Sequence, residues 1–193
     1  MNISVVIAYY AGLPVLDDQL AALAAQDFTG EFEVIVSDNE GSAALREHID
    51  GHRYRERLAL RWIDSSDVAG TSHARNVGTR AAAYDFIVYC DQDDAVHPGW
   101  LSAMSRAAAD ADIVGGPLER DSLNDPVVAS WRALGDPREP EVLGRFLPIT
   151  FGCNLGVRRS VFDAVGGWDE TYSTAGGDVE FCWRIQTSGY RFG

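Results

Sequence analysis

The sequence contains no lysine. All 16 basic residues are arginine, set against 29 aspartates and glutamates, for a formal net charge of −13. So acidic a chain avoids nucleic acid and anionic membrane unless its arginines cluster locally, and nucleic acid is not expected as a partner. Cysteine is scarce: Cys90, Cys153 and Cys182 are odd in number, far apart and set among apolar residues. That fits reduced, buried thiols in a cytosolic protein better than a disulfide framework. No C-x-x-C or H-x-x-H spacing suggests a structural zinc site. No apolar stretch approaches the roughly 20 residues needed to span a bilayer, so no transmembrane segment is expected. The opening MNISVVIAYY carries neither a positive region nor a cleavage site and does not read as a signal peptide. The expected location is cytoplasmic, with peripheral attachment at the inner face of the membrane left open.

What is present is an ordinary globular composition, 46% hydrophobic and 23% charged over 193 residues, enough for one sizeable core and too little for two comfortable domains. Ile3 to Ala8 is a continuous, mostly β-branched run that suits a strand buried on both faces. Val15 to Gln26 has helical spacing, with Pro14 just before it. Phe32 to Val36 reads as a second buried strand, Ala43 to Arg57 as a polar helix and Leu58 to Ile63 as a weak third strand. Ser72 to Ala83 is a predicted helix, Phe86 to Cys90 a strand, and Pro98 opens a helix where its missing N–H costs nothing. Ile113-Val114 is one more short strand. This alternation through residue 115 predicts an α/β fold, a mostly parallel sheet with helices on both faces. Residues 116–148 hold five of the seven prolines and read as a surface excursion or partly mobile loop. Order is expected to return at Ile149-Thr150-Phe151 and to end with a helix over Val179 to Ser188.

Ligands of open α/β sheets sit beyond the carboxyl ends of the strands. Three polar groups fall at such ends: Ala8-Tyr9-Tyr10, Ser37-Asp38-Asn39 and the cluster Asp91, Asp93, Asp94. Three carboxylates so close repel one another, and each makes the others harder to ionise. A D-x-D after a buried strand is a good half-site for Mg²⁺ or Mn²⁺, which complete their shells with water and substrate phosphates. The plainer alternative is a solvent-facing cap on the next helix. A calcium loop lacks its glycine, Val96 standing at the sixth position. A phosphatase with an aspartyl nucleophile would place the motif on the first strand instead.

Six segments together resemble the family 2 inverting glycosyltransferases of GT-A fold. ISVVIAYYAGLPVLDDQLAALAAQ is similar to the family's opening strand and helix, and EFEVIVSDN to its second strand. GTSHARNVGTRAA resembles its A-R-N-x-G segment and FIVYCDQDDAVHPGWL its D-x-D strand. FGCNLGVRRSVFDAVGGWDE and GGDVEFCWRIQTSGYRF resemble its two C-terminal motifs. The order is right, and the likeness runs from Ile3 to Phe192.

The resemblance implies a GT-A-type three-layer sandwich, residues 1–193 forming one catalytic domain. Residues 1–115 would be its nucleotide-binding half and 116–193 its acceptor-side half. GYRFG stops where the pattern expects another strand, so a catalytic domain cut short at its C-terminus is expected. It further implies a nucleotide-diphospho-sugar donor, UDP- or dTDP-linked, and a hydroxyl acceptor: a sugar, a lipid-linked sugar or a small molecule. Ala8 and Tyr9 would line the nucleotide pocket. Asp38 would accept from the imide N–H of the base, a turn cap being the alternative. Arg75 would face the diphosphate with its fork of donors, and Gly70 and Asn76 would shape that loop. Asp91 would reach the ribose or the metal's water, Asp93 the metal, and Asp94 the sugar or the following helix.

Asp178 would be the catalytic base, at the start of a helix whose N-terminus favours an ionised carboxylate; by position alone it could be an N-cap. Trp168-Asp169-Glu170 would lie near the sugar and acceptor. Departures from the family pattern are Gly177, where an acidic residue is usual, Tyr9-Tyr10-Ala11 after the first strand, and Glu40, which resembles an insertion. Two rivals remain at this level: a catalytically silent sugar-nucleotide-binding domain, and a sugar-phosphate nucleotidylyltransferase. The latter would need a Gly-rich loop and a lysine, and the chain has neither.

Overall fold

The computed structural model describes residues 1–131 and 134–193. Its sheet of six strands runs in the order β3-β2-β1-β4-β8-β5: β1 Ile3–Tyr9, β2 Phe32–Asp38, β3 Arg61–Asp64, β4 Phe86–Asp91, β5 Ile113–Gly115 and β8 Leu155–Arg158. The first four are parallel, and β8 runs antiparallel between β4 and β5. A pair of two-residue strands, β6 Glu141–Val142 and β7 Pro148–Ile149, stands apart from it.

The alternation of side chains along a strand builds two cores. Ile3, Val5 and Ile7 of β1, with Phe86, Val88 and Cys90 of β4, face one side. There they meet Leu16, Leu20 and Leu23 of α1 (Leu13–Ala24), Leu45 and Ile49 of α2 (Ala43–Asp50), and Leu101 and Met104 of α4 (Trp100–Ala107). Val6, Ile87 and Tyr89 face the other side. Against them pack Val161 and Phe162 of α6 (Arg159–Val165) and Phe181, Cys182 and Ile185 of α7 (Gly177–Thr187). Helix α3 (Thr71–Ala81) lies on this second face, so close to β1 that a Cβ on Gly78 would stand 2.5 Å from Val6. The three layers follow, a sheet between two helical faces. Truncating one of the wholly buried leucines, Leu20 for instance, should cost about 2–5 kcal/mol.

The edge of the core away from the strand carboxyl ends carries one buried acid. Glu33 accepts from Ser4 Oγ at 2.7 Å, from the Ala83 amide at 2.6 Å and from the Arg61 guanidinium at 2.6 and 3.0 Å, so its charge is paired from three directions.

Several elements depart from the sequence expectation. Helix α2 ends at Asp50 rather than Arg57, with Gly51 at its C-cap. The chain then turns through Leu58, where the amides of Arg55 and Leu58 reach the carbonyls of His52 and Tyr54. Pro98 precedes its helix by a turn, its carbonyl accepting from Asp27 N at 2.9 Å, and α4 starts at Trp100. Strand β8 and helix α6 have no counterpart in that expectation. Among its described residues, the excursion over 116–148 contains one turn of helix, α5 (Pro126–Ala129), and exposes Leu123, Val127, Trp131 and Phe146. No helix among the described residues is long and apolar enough to cross a membrane.

Candidate active site

The sheet register brings the three polar strand ends together. Ala8 is level with Ser37 and Asp91, and Tyr9 with Asp38, so β2, β1 and β4 deliver their last residues side by side. Gln92, the middle residue of the D-x-D, ties β4 to the loop after β1: its Oε1 accepts from Tyr10 N at 2.8 Å and its amide donates to the Tyr10 and Ala11 carbonyls. Buried Gln19 of α1 steadies the far side, donating to the Asp91 carbonyl at 3.0 Å and accepting from Val96 N at 3.1 Å. The acidic loop is thus held by two glutamines, one within it and one from α1.

Arg75 enters this group from α3. It is almost wholly buried, its Nη2 donates to Asp91 Oδ1 at 3.0 Å, and its guanidinium lies over the Trp168 ring at 4.8 Å. A Cβ on Gly152 would stand 2.5 Å from Arg75 Nη1, so any side chain there would have to displace the guanidinium. The same Gly152 donates its N–H to Asp178 Oδ2 at 3.3 Å. Asp178 lies in the first turn of α7, whose cap position is Gly176 at φ 82° with no side-chain cap. The N-cap alternative for Asp178 therefore does not hold. Its other oxygen accepts from the Val179 amide at 2.9 Å.

Among the described residues Arg75 pairs with Asp91 alone, while the charges of Asp93, Asp94 and Asp178 crowd the same crevice. Burial raises the Asp91 pKa; Arg75 pulls it back, and the charges of Asp93 and Asp178 push it up again. Asp94 is raised to about 6 by burial and by the Asp91 and Asp93 charges. Asp91, Asp94 and Cys153 have ligand atoms within 4.8 Å of one another, whereas Asp93, expected as a ligand with Asp91, is exposed and outside that group. Burial first, and then the two carboxylates, push the Cys153 thiol up to about 12. A protonated thiol is a poor donor to a hard ion, so the chemistry on offer is carboxylate oxygen, which suits Mg²⁺ or Mn²⁺.

The remaining expected residues build the walls. Asp38 is wholly buried and all four of its lone pairs are engaged: Oδ1 accepts from Glu40 N and Gly41 N, and Oδ2 from Ser42 N and the Trp62 indole, at 2.8–3.0 Å. In this structure it closes the β2–α2 turn, and contact with a base would have to displace one of these donors. Tyr9 is buried beside it, its hydroxyl pKa raised by burial and then by Glu40 and Asp38. Gly70, at φ 143°, donates to Asn39 Oδ1 at 2.7 Å and starts α3. Asn76 grips the loop after α6, donating to Trp168 O and Glu170 Oε1 and accepting from Trp168 N.

Sequence reasoning missed His73, in the first turn of α3. Its two ring nitrogens each lie 2.9 Å from a carboxylate, Glu170 on one side and Asp67 on the other. Burial alone would lower its pKa, but these two partners raise it. A cavity of about 480 Å³ is lined in part by Thr150 and Phe151, next to Gly152 in the chain, and by none of the crevice carboxylates.

The sequence model of glycosyl transferase family 2 matches residues 4–166. The chain is 27% identical to the chondroitin synthase of Pasteurella multocida (strain Pm70), covering 100% of this chain and 24% of that one. It is 27% identical to the validoxylamine A glucosyltransferase of Streptomyces hygroscopicus subsp. jinggangensis, covering 97% and 52%. Among solved structures, S. aureus TarS 1-349 in complex with UDP-GlcNAc superposes with a TM-score of 0.76 at 19% identity, over 100% of this chain and 55% of that one. Mannosyltransferase PcManGT from Pyrobaculum calidifontis, in complex with GDP-Man and Mn²⁺, gives 0.73 at 20%, over 98% and 53%. The chain thus spans between about a quarter and about half of these relatives.

Proposed function

The chain belongs to glycosyl transferase family 2 and has the GT-A fold, and from that premise we propose that it moves a sugar from a nucleoside-diphospho-sugar to an acceptor hydroxyl with inversion at the anomeric carbon. The observation that carries this reading is the imbalance of the crevice, where Asp91 feels the charges of Asp93 and Asp178, Asp94 feels those of Asp91 and Asp93, and the one ion-pair partner among the described residues is Arg75, on Asp91. A site so acidic at the carboxyl ends of parallel strands needs a cation, and a cation there attracts a diphosphate. TarS with UDP-GlcNAc and PcManGT with GDP-Man and Mn²⁺ support that assignment by their shared fold.

Mn²⁺ or Mg²⁺, held by Asp91 and Asp94 with the exposed Asp93 on the same loop, would neutralise charge growing on the leaving diphosphate. Arg75, bonded to Asp91, does the same work, its fork pre-set by Trp168 beneath it and the Gly152 backbone beside it. Asp178 is assigned as the base: it takes the proton from the acceptor hydroxyl as that oxygen attacks the anomeric carbon and the bond to the diphosphate breaks. The Gly152 N–H orients its carboxylate toward this task. Support for an acceptor on that side is the cavity lined in part by Thr150 and Phe151, large enough for a sugar-sized group. Ala8, Tyr9, Asp38 and Gly70 are assigned to the nucleoside, and Asn76 to holding Trp168 under Arg75.

Calorimetry with nucleoside diphosphates tests the donor half. UDP should bind weakly in EDTA and more tightly with Mn²⁺; equal affinities would remove the cation from the account. Selectivity for the base rests on Asp38 exchanging the Trp62 indole for the imide N–H of uracil or thymine. UDP and dTDP should then bind about ten- to a hundredfold tighter than CDP or ADP. A flat ranking would leave Asp38 as the closure of its turn alone.

A further inference from the structure

A second cluster of metal-type ligands stands apart from the crevice side chains, on α1 and the end of α2. His48 Nε2 lies 2.6 Å and His52 Nε2 3.3 Å from the same oxygen, Oδ1 of Asp17, and the three residues' ligand atoms are mutually within 4.8 Å. The spacing His48-x-x-x-His52 spans one helical turn, and it sets the rings side by side, centroids 5.2 Å apart, although Gly51 has already ended the helix. We propose that Asp17, His48 and His52 form a binding site for a borderline transition-metal cation such as Zn²⁺ or Co²⁺, distinct in chemistry from the carboxylate crevice.

Donors bound to one such cation at about 2.0–2.2 Å lie roughly 3 to 3.5 Å from one another. The His52–Asp17 separation already falls in that range, and the His48–Asp17 pair would open by a few tenths of an ångström. Two imidazoles and one carboxylate suit Zn²⁺, Co²⁺ or Ni²⁺ and suit Mg²⁺ poorly. The His52 ring is nearly buried while the His48 and Asp17 side chains are 31% and 45% exposed. One anchored ligand and two accessible ones leave a path of entry and open positions for water. The site joins α1, which follows the crevice loop after β1, to α2, which follows the Asp38 turn.

Coordination has a local signature. In the metal-free chain His52 Nδ1 accepts from the Tyr54 amide at 3.3 Å, so the ring proton sits on Nε2. Binding through Nε2 moves that proton to Nδ1 and releases the Tyr54 amide.

The test titrates Co²⁺ and Zn²⁺ into the full chain in excess Mg²⁺, by calorimetry and by visible absorption of Co²⁺, with ¹⁵N NMR of the imidazoles. One saturable equivalent is expected, with the His52 tautomer switching and Tm rising on binding. His48→Ala and Asp17→Asn, both at accessible positions and compatible with the fold, should each weaken binding at least about tenfold, the scale at which even outer-sphere partners act. No saturable binding, affinity within twofold of the parent in both variants, or an unchanged His52 tautomer would overturn the proposal.

Discussion

Asp94 gives the sharpest quantitative handle on the crevice. Its pKa is raised to about 6 by burial and by the Asp91 and Asp93 charges, so the folded chain holds that proton more tightly than the unfolded chain does. The sign follows: the ionised group opposes folding at pH above its folded value, and the penalty fades as pH falls from about 6 toward the unfolded value near 4. The gap between those two values sets a ceiling of roughly 3 kcal/mol, at about 1.36 kcal/mol for each pH unit between them. Residual solvent screening around a half-buried carboxylate brings the expected effect to about 1–2 kcal/mol. Asp94→Asn keeps the shape and removes the charge, so the metal-free variant should be more stable than the parent by that amount at a pH of about 7.5. The gain should shrink through a pH of about 4 and vanish near a pH of about 3, where the group is protonated in both states. Urea denaturation in EDTA across this window reads the difference directly. A variant that is no more stable at the upper pH, or one whose gain does not change with pH, would refute the electrostatic picture of the crevice.

Arg75→Lys keeps the charge but gives up the forked donors and the stacking on Trp168. Calorimetry should show UDP binding in Mn²⁺ weakened about tenfold or more, and unchanged affinity would take Arg75 out of the diphosphate site. His73 has a raised pKa because Glu170 and Asp67 outweigh its burial, so its contribution is present at low pH and is lost as pH rises through its folded value. His73→Gln should therefore destabilise the chain by about 1 kcal/mol near pH 6 and by less near pH 9 in paired denaturation curves; a difference that does not depend on pH would contradict the paired imidazolium.

Much of this architecture could be read from residue order because β1 and β4 are buried on both faces. Runs such as ISVVIAY and FIVYC admit few other readings. The carboxylate cluster announced itself for the same reason, as charge with no business following a buried run. Strand β8 did not. It has four residues, one of them Gly156, where a Cβ would stand 2.7 Å from the Phe86 ring and 2.9 Å from Val114. The glycine that lets β8 fit between β4 and β5 is what hid it, since glycine weakens any strand pattern. Helix α2 looked longer than it is because the turns after Gly51 are stabilised by backbone contacts that polar residues do not advertise.

Tertiary placement hid more of the site than local structure did. The approach of Cys153 to Asp91 and Asp94 depends on two segments far apart in sequence. The grouping of Asp94 rather than Asp93 with Asp91 depends on which way each carboxylate leaves the loop. The full engagement of Asp38 with its own turn and Trp62 could not be inferred from an S-D-N triplet. His73 lay within the segment that suggested a diphosphate site, yet its two carboxylate partners come from other loops.

Asp178 decides whether the crevice performs chemistry or only holds a nucleotide. It is part of α7's first turn, but the helix is capped at Gly176, so the amide of Asp178→Asn can keep the contacts to Gly152 and Val179 while losing the basicity. The measurement is sugar transfer from the tightest-binding donor by the parent and by Asp178→Asn, with UDP affinity and Tm taken on the same samples. A general base contributes typically about 10²–10⁴-fold, so transfer should fall by about that factor while UDP affinity and Tm stay near the parent's. Transfer within a fewfold of the parent, at unchanged UDP affinity and Tm, would contradict the assignment of Asp178 as the base.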